Sequence, residues 1–158
     1  MAFVCTINGQ WAQVVGIDWT DESTLIAGIG YDDALPISYS VVVSFAPAAG
    51  ELEFVFYIAA DSEIASEVRQ FWCGKETPFI QGEDRKRVLE TAANATRALA
   101  LHCNPRKFFM ITYSADLPPR ALVKSELLCD VFTGCGYRVS DKFEYHGKVC
   151  WSLERDGD

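Results

Sequence analysis

Cys129, Cys135, His146 and Cys150 carry the side-chain types that hold zinc, and their spacing, C-x5-C-x10-H-x3-C, is the first place in the chain to look for chemistry. Zinc sites built from thiolates and imidazoles use closely spaced ligand pairs, so that neighbouring residues share one ion. The short cysteine pair that would let two thiolates share one ion is absent here. All six cysteines (Cys5, Cys73, Cys103, Cys129, Cys135 and Cys150) are scattered without CxxC spacing and without an export signal, which predicts reduced thiols acting as small core residues. Nucleophilic catalysis has little to draw on, because the only histidines are His102 and His146. His102 continues the helical stripe Val88, Ala92, Ala95, Leu99, where a core histidine is expected rather than a base. "CGKET" lacks the upstream glycine of a phosphate-binding loop, and "DWTDES" and "YDDA" lack the alternating order of a calcium loop. "EDRKR" reads as a solvated helical turn. No metal, cofactor or catalytic residue is assigned.

Charge is more informative. The net charge is −8, and no Lys or Arg precedes Arg69. Residues 1–84 hold 13 acids against 2 bases, whereas the remainder holds 9 acids against 12 bases. The acidic half repels phosphate groups, which argues against direct binding of nucleic acid or an anionic membrane and for a basic protein partner. The candidate partner-binding residues are Asp18, Asp21, Glu22, Asp32, Asp33, Glu51 and Glu53. The competing reading is that these acids keep an otherwise apolar sheet in solution.

The elements that must position these residues follow from turn signals and periodicity. Asn8-Gly9 between apolar runs predicts a hairpin of strands 3–7 and 10–17, followed by a turn at "DWTDES". "TLIAGIGY" reads as a third strand, with Gly28 and Gly30 marking a bulge or close packing. "ISYSVVVSFA" and "ELEFVFYIAA" are two long strands joined through "PAAG", and the second is apolar on both faces. Helical spacing of Ile64, Val68, Phe71 and Trp72 predicts a helix over 61–74 ended by Gly74. A longer helix covers "EDRKRVLETAANATRALALHC" and stops at Asn104-Pro105. "KFFMITYS" is a strand and "RALVKSELLCDVFTG" a third helix. In the last hairpin a three-residue loop, His146 to Lys148, would pair Phe143 with Trp151 and Tyr145 with Val149, so that these large apolar groups close the core together. The expectation is one α+β domain over 1–158: a mainly antiparallel sheet of about eight strands with three helices packed on it.

Strand, helix, strand, a helix ending in "GCGYRV", and the finish "KVCWSLER" resemble the latter part of a GNAT-type acyltransferase, over about half of the chain. The resemblance implies acetyl-coenzyme A held at the start of the central helix by a Q/R-x-x-G-x-G/A loop, where backbone N–H groups and the helix's positive end meet pyrophosphate. Here "PFIQGEDRKRVLE" supplies Gln81 and Gly82 but not the following glycines, and Glu83-Asp84 place negative charge where the pyrophosphate would sit. Tyr113 or Tyr137 would correspond to a general acid. A fainter similarity, through "RVLETAANATRALALHCNPRKFFMITYSADLPPRALVKSE", is to small bacterial mobile-element proteins and points to Ser114, Arg120 and Lys124 without implying a reaction.

The functional expectation is a non-enzymatic, cytoplasmic binding module, of the inhibitor, immunity-protein or antitoxin kind, bacterial or phage-encoded, that docks its acidic strands on a basic protein. An acyltransferase with a degenerate coenzyme loop, and a structural subunit that pairs sheet edges into a homodimer, are the alternatives. No export signal or stretch of about 20 apolar residues points to a membrane.

Overall fold

The computed structural model describes residues 2–7, 17–21, 23–64, 68–72, 76–112 and 122–156, with the backbone alone for 17–21, 122 and 123. The elements in chain order are β1 (Phe3–Cys5), β2 (Ile17–Asp21), β3 (Thr24–Asp32), β4 (Ile37–Ala48), β5 (Glu51–Ser62), β6 (Val68–Phe71), α1 (Gly82–Cys103), β7 (Lys107–Ile111), α2 (Leu122–Gly134), β8 (Tyr137–Tyr145) and β9 (Lys148–Arg155). They make a nine-stranded sheet in the order β1-β3-β4-β5-β7-β9-β8, with β2 beside β3 and β6 beside β5. All pairings among the described residues are antiparallel except β5–β7.

The α+β class and mainly antiparallel sheet match the sequence expectation, but two helices are present among the described residues, not three. The segment predicted as the first helix contributes β6, which pairs Ile58↔Phe71 through Asp61↔Val68 on the outer edge of β5. Helical spacing failed there because the predicted stripe does not meet the core as one face: Ile64 is 82% and Val68 57% exposed, Trp72 is half-buried and only Phe71 is buried. The backbone of β5 prevailed, since its N–H and C=O groups need partners that a helix would not supply.

The predicted Asn8-Gly9 turn lies outside the described residues, as does most of the strand over 10–17. β1 pairs with β3, and "DWTD", read as a turn, is part of strand β2 instead. At the Gly28/Gly30 bulge the expectation holds: a Cβ on Gly30 would collide with the Val4 carbonyl oxygen and come within 2.7 Å of the Phe3 ring. Ala49 and Gly50 close β4–β5 with φ of 52° and 82°, the twist that suits a two-residue hairpin.

The final hairpin also departs from the expected register. Its loop is the two residues His146 (φ 50°) and Gly147 (φ 78°), and Tyr145 pairs with Lys148. Gly147 supplies the second positive φ at no steric cost, which outweighed the grouping of large side chains. Phe143 therefore pairs with Cys150 and stays 43% exposed, Tyr145 is also exposed, and only Trp151 of the predicted set enters the core fully. Lys142 faces Trp151 instead, its ammonium 5.6 Å from the ring centre and 3.5 Å from Glu126 of α2.

Both helices pack on one face of the sheet. Alternate residues along each strand point there: Leu25 and Ala27, Val41, Val43 and Phe45, Phe54, Phe56 and Ile58, Phe108 and Met110, Trp151 and Leu153. Val88, Ala92, Ala95 and Leu99 form the buried stripe of α1, whose alanines allow close approach to the strands. Phe132 of α2 lies 4.6 Å from the Phe108 ring and 4.9 Å from Phe54. Asn104 ends α1 in the left-handed conformation, returning its N–H to the Ala100 carbonyl. No helix among the described residues is long and apolar enough to cross a membrane.

Candidate functional site

The second face of the sheet carries no helix among the described residues. Register places Ile26, Val42 and Tyr57 in one row across β3, β4 and β5, and Glu53, Phe109 and Ser152 in another across β5, β7 and β9. Ile111, Cys150 and Phe143 form a third row toward the β8 edge. Val42 and Cys150 are buried, while Ile26, Val55, Tyr57, Phe109 and Ile111 are half-buried. Trp72 lies over Tyr57 with ring centres 4.6 Å apart.

The seven acids predicted to meet a partner divide into groups. Glu51 is exposed and Glu53 half-buried, on alternate positions of β5 that share the helix-free face. Asp18 and Asp21 are in register with Ile26 and Thr24, the shift between Trp19 and Asp21 bringing both positions opposite residues of that face. Glu22 lies outside the described residues. Asp32 is turned inward: it is only 7% exposed, and its Oδ1 accepts the N–H groups of Ala34 at 2.8 Å and Leu35 at 3.0 Å. Asp33, beside it, accepts the N–H of Ala2 at 2.7 Å. These last two fasten the β3–β4 turn and the chain start, well along the strands from Glu51 and Glu53. Sequence order alone had grouped them together.

On the helix side, β5 and β7 diverge. They run parallel yet meet at the single pair Glu53↔Phe109, and from Ile58 onward β6 takes the edge of β5. An extended ligand entering the wedge between these strands would find that stretch of edge already hydrogen-bonded. Beside it, Phe56, Phe71, Ile80, Val88, Arg85 and Lys124 bound a cavity of about 50 Å³. Lys124 Nζ donates to the Trp72 carbonyl at 3.1 Å and sits 5.0 Å from the Phe56 ring centre, and Arg85 Nη1 donates to the Ile80 carbonyl at 3.3 Å. The expectation that "EDRKR" is a solvated turn holds, with Arg85 and Lys86 exposed; that Arg85 also borders a cavity completed by distant strands is not readable from its spacing. Lys124 was reached only through the mobile-element resemblance, and Ser114 and Arg120 lie outside the described residues.

Burial foremost pushes the Tyr137 phenol up to about 12, with Arg155 opposing, and its hydroxyl donates to the Pro105 carbonyl at 2.6 Å. Tyr113 lies outside the described residues. Burial, then the charges of Asp130 and Glu126, pushes the Cys129 thiol up to about 11, the reverse of an activated nucleophile. His102, predicted as a core histidine, is exposed at the last turn of α1. Among the described residues no group of three or more His, Cys, Asp and Glu side chains is placed to hold a metal ion. No family model, curated protein or solved structure matches the chain.

Proposed function

We propose that this protein is a non-enzymatic binding module that docks the helix-free face of its sheet on a basic protein surface. The observation that carries the reading is the composition of that face: an apolar strip of Ile26, Val55, Tyr57, Phe109 and Ile111, flanked by Glu51 and Glu53 with Asp18 and Asp21 in register. A half-buried apolar strip with a charged border is the layout of a recognition surface, the acids steering a basic partner and the apolar groups supplying contact. The solubility reading accounts for the acids but leaves the strip of large apolar groups unused.

The test is recovery of partners on immobilised protein at low and high salt, comparing the wild type with a Glu51→Lys/Glu53→Lys double variant. A basic protein retained at 50 mM salt in about tenfold excess over 500 mM, and lost on the variant, is the expected result, because the Debye length shrinks from about 14 Å to 4 Å. Identical recovery on wild type and variant overturns the reading.

One observation favours a second reading. The sheet order, with β5 and β7 parallel and divergent around α1, supports the GNAT-type framework that the sequence resembles. An acyltransferase on this framework would need an opening for coenzyme, and β6 occupies part of it. Calorimetry with millimolar acetyl-coenzyme A separates the two: measurable heat revives the enzyme reading, and its absence, together with no thermal shift, removes it.

A further inference from the structure

The sheet ends at β8 in an open edge. Among the described residues β8 borders β9 and no other strand, and every residue of it after Tyr137 is exposed. Phe143 and Tyr145 are thereby left in water as large apolar side chains. An unpaired edge is a template for another strand, and proteins blunt such edges with lysines and bulges. β8 has both, in Lys142 and in the register shift between Val139 and Asp141. They leave five regular residues, Asp141 to Tyr145, and they select among the ways in which those five can pair.

The neighbouring strands set which backbone groups of β8 point outward. Val149, opposite Glu144, donates its N–H to the Thr112 hydroxyl at 3.0 Å and accepts the Thr112 N–H on its carbonyl at 3.0 Å. Val149 is therefore turned toward β7, and Glu144 directs its own N–H and C=O to the open edge. By alternation Lys142 does the same, whereas Phe143 and Tyr145 are bonded to β9. A second copy of the strand, aligned antiparallel, must match outward residues with outward residues. Centring the pair on Lys142 sets two lysines opposite each other, and centring it on Glu144 sets two glutamates opposite. Centring it on Asp141 or Tyr145 runs into the bulge or the final turn. Phe143 is the centre that remains.

We propose that β8 pairs antiparallel with β8 of a second copy about a two-fold axis at Phe143. Lys142 and Glu144 then exchange backbone hydrogen bonds across the axis, twice by symmetry. Lys142 stands on the helix side, beside Trp151 and Glu126, and Glu144 shares that side two residues on, so the opposed side chains form two ion pairs. The two Phe143 rings meet on the helix-free face, in a non-hydrogen-bonded pair whose Cα atoms lie about 4.5 Å apart. The row Ile111, Cys150, Phe143 thus continues into the same row of the second copy as one apolar strip. Charge permits the approach at this edge. Residues 137–148 hold three bases, Arg138, Lys142 and Lys148, against two acids, Asp141 and Glu144, in a chain of net charge −8. The pairing uses the edge of the sheet and holds whether or not the acid-bordered face docks on a partner.

The experiment is analytical sedimentation of the full chain from about 1 to about 500 µM, a range suited to an interface well below the ~800 Å² per partner of standard complexes. The wild type should pass from monomer to dimer and go no further. Lys142→Glu and Glu144→Lys should each weaken the dimer by about tenfold or more, because symmetry turns two attractive pairs repulsive at once. An equimolar mixture of the two variants sets opposite charges face to face at both positions and should dimerise within about threefold of the wild type. The double variant Lys142→Glu/Glu144→Lys keeps the complementarity and should also match the wild type. Restoration by mixing reports pairing between copies, which a folding defect in either variant would not produce, and unfolding temperature is read on each. Monomer at every concentration, assembly beyond the dimer, wild-type dimerisation by either single variant, or a mixture no better than its components overturns the proposal.

Discussion

Replacing Phe132 and Phe143 separately with alanine tests which face of the molecule is core. Phe132 is completely buried and meets Phe108 and Phe54 at ring distances of 4.6 and 4.9 Å. Truncating such a phenylalanine costs about 3–5 kcal/mol, the lost transfer energy plus the cavity left behind. Each kcal/mol lowers the unfolding temperature by about 2–4 °C in a chain of this length, so Phe132→Ala should fall by about 6–20 °C. Phe143 keeps 43% of its surface in water opposite Cys150. Its removal gives up about half of a full burial term, roughly 1 kcal/mol, and a fall of about 2–4 °C. Had the hairpin closed with three residues, Phe143 would sit in the core opposite Trp151 and the two variants would be alike. Urea unfolding combined with calorimetric scans gives both numbers. A loss for Phe143→Ala equal to that for Phe132→Ala refutes the register, and a loss below about 1 kcal/mol for Phe132→Ala refutes the packing of α2.

Three further outcomes follow from single residues. Because the Tyr137 phenol is pushed up to about 12 in the fold, above its ordinary value near 10, its stabilising contribution is complete below pH 10 and is lost as pH rises toward 12. Tyr137→Phe should remove that part of the pH dependence in urea titrations, and cost about 1 kcal/mol at pH 7 through the lost hydrogen bond to Pro105. Gly30→Val should displace β1, since its side chain would enter the space of Val4 and Phe3; the readout is faster hydrogen exchange at Cys5 and Thr6, with the amides of α1 unchanged. Cys129, buried and held as the thiol, should react with an aromatic disulfide reagent at pH 8 only as fast as the protein unfolds, as mass spectrometry of the labelled peptide would show.

Local signals were legible where sequence and tertiary demands agree. Asn104-Pro105 stopped α1, the Gly28/Gly30 pair marked a bulge, and the alanine-rich stripe of α1 identified its buried side. The departures share one cause, backbone pairing over distances that periodicity does not register. Val68 and Phe71 carry helical spacing, but the divergence of β7 leaves an edge of β5 that only a strand can satisfy. At the last turn the grouping of Phe143 with Trp151 was attractive on side-chain grounds, yet backbone conformation at His146-Gly147 set the register. The acids were visible as a charge imbalance, but not that Asp32 is spent on its own turn while Glu51 and Glu53 share a face with Tyr57 and Phe109. The cavity beside Arg85 and Lys124 was the least legible, since its lining residues come from parts of the chain far apart in sequence.

The central claim is that the helix-free, acid-bordered face meets the partner, and carboxylate footprinting tests it most directly. The protein is labelled free and in complex with its captured partner, and modification is read at each acid by mass spectrometry. The docking reading predicts that Glu51 and Glu53 become protected, while Glu90 on α1 and Glu126 on α2 stay as reactive as in the free protein. Protection confined to Glu90 and Glu126, with Glu51 and Glu53 unchanged, would contradict it.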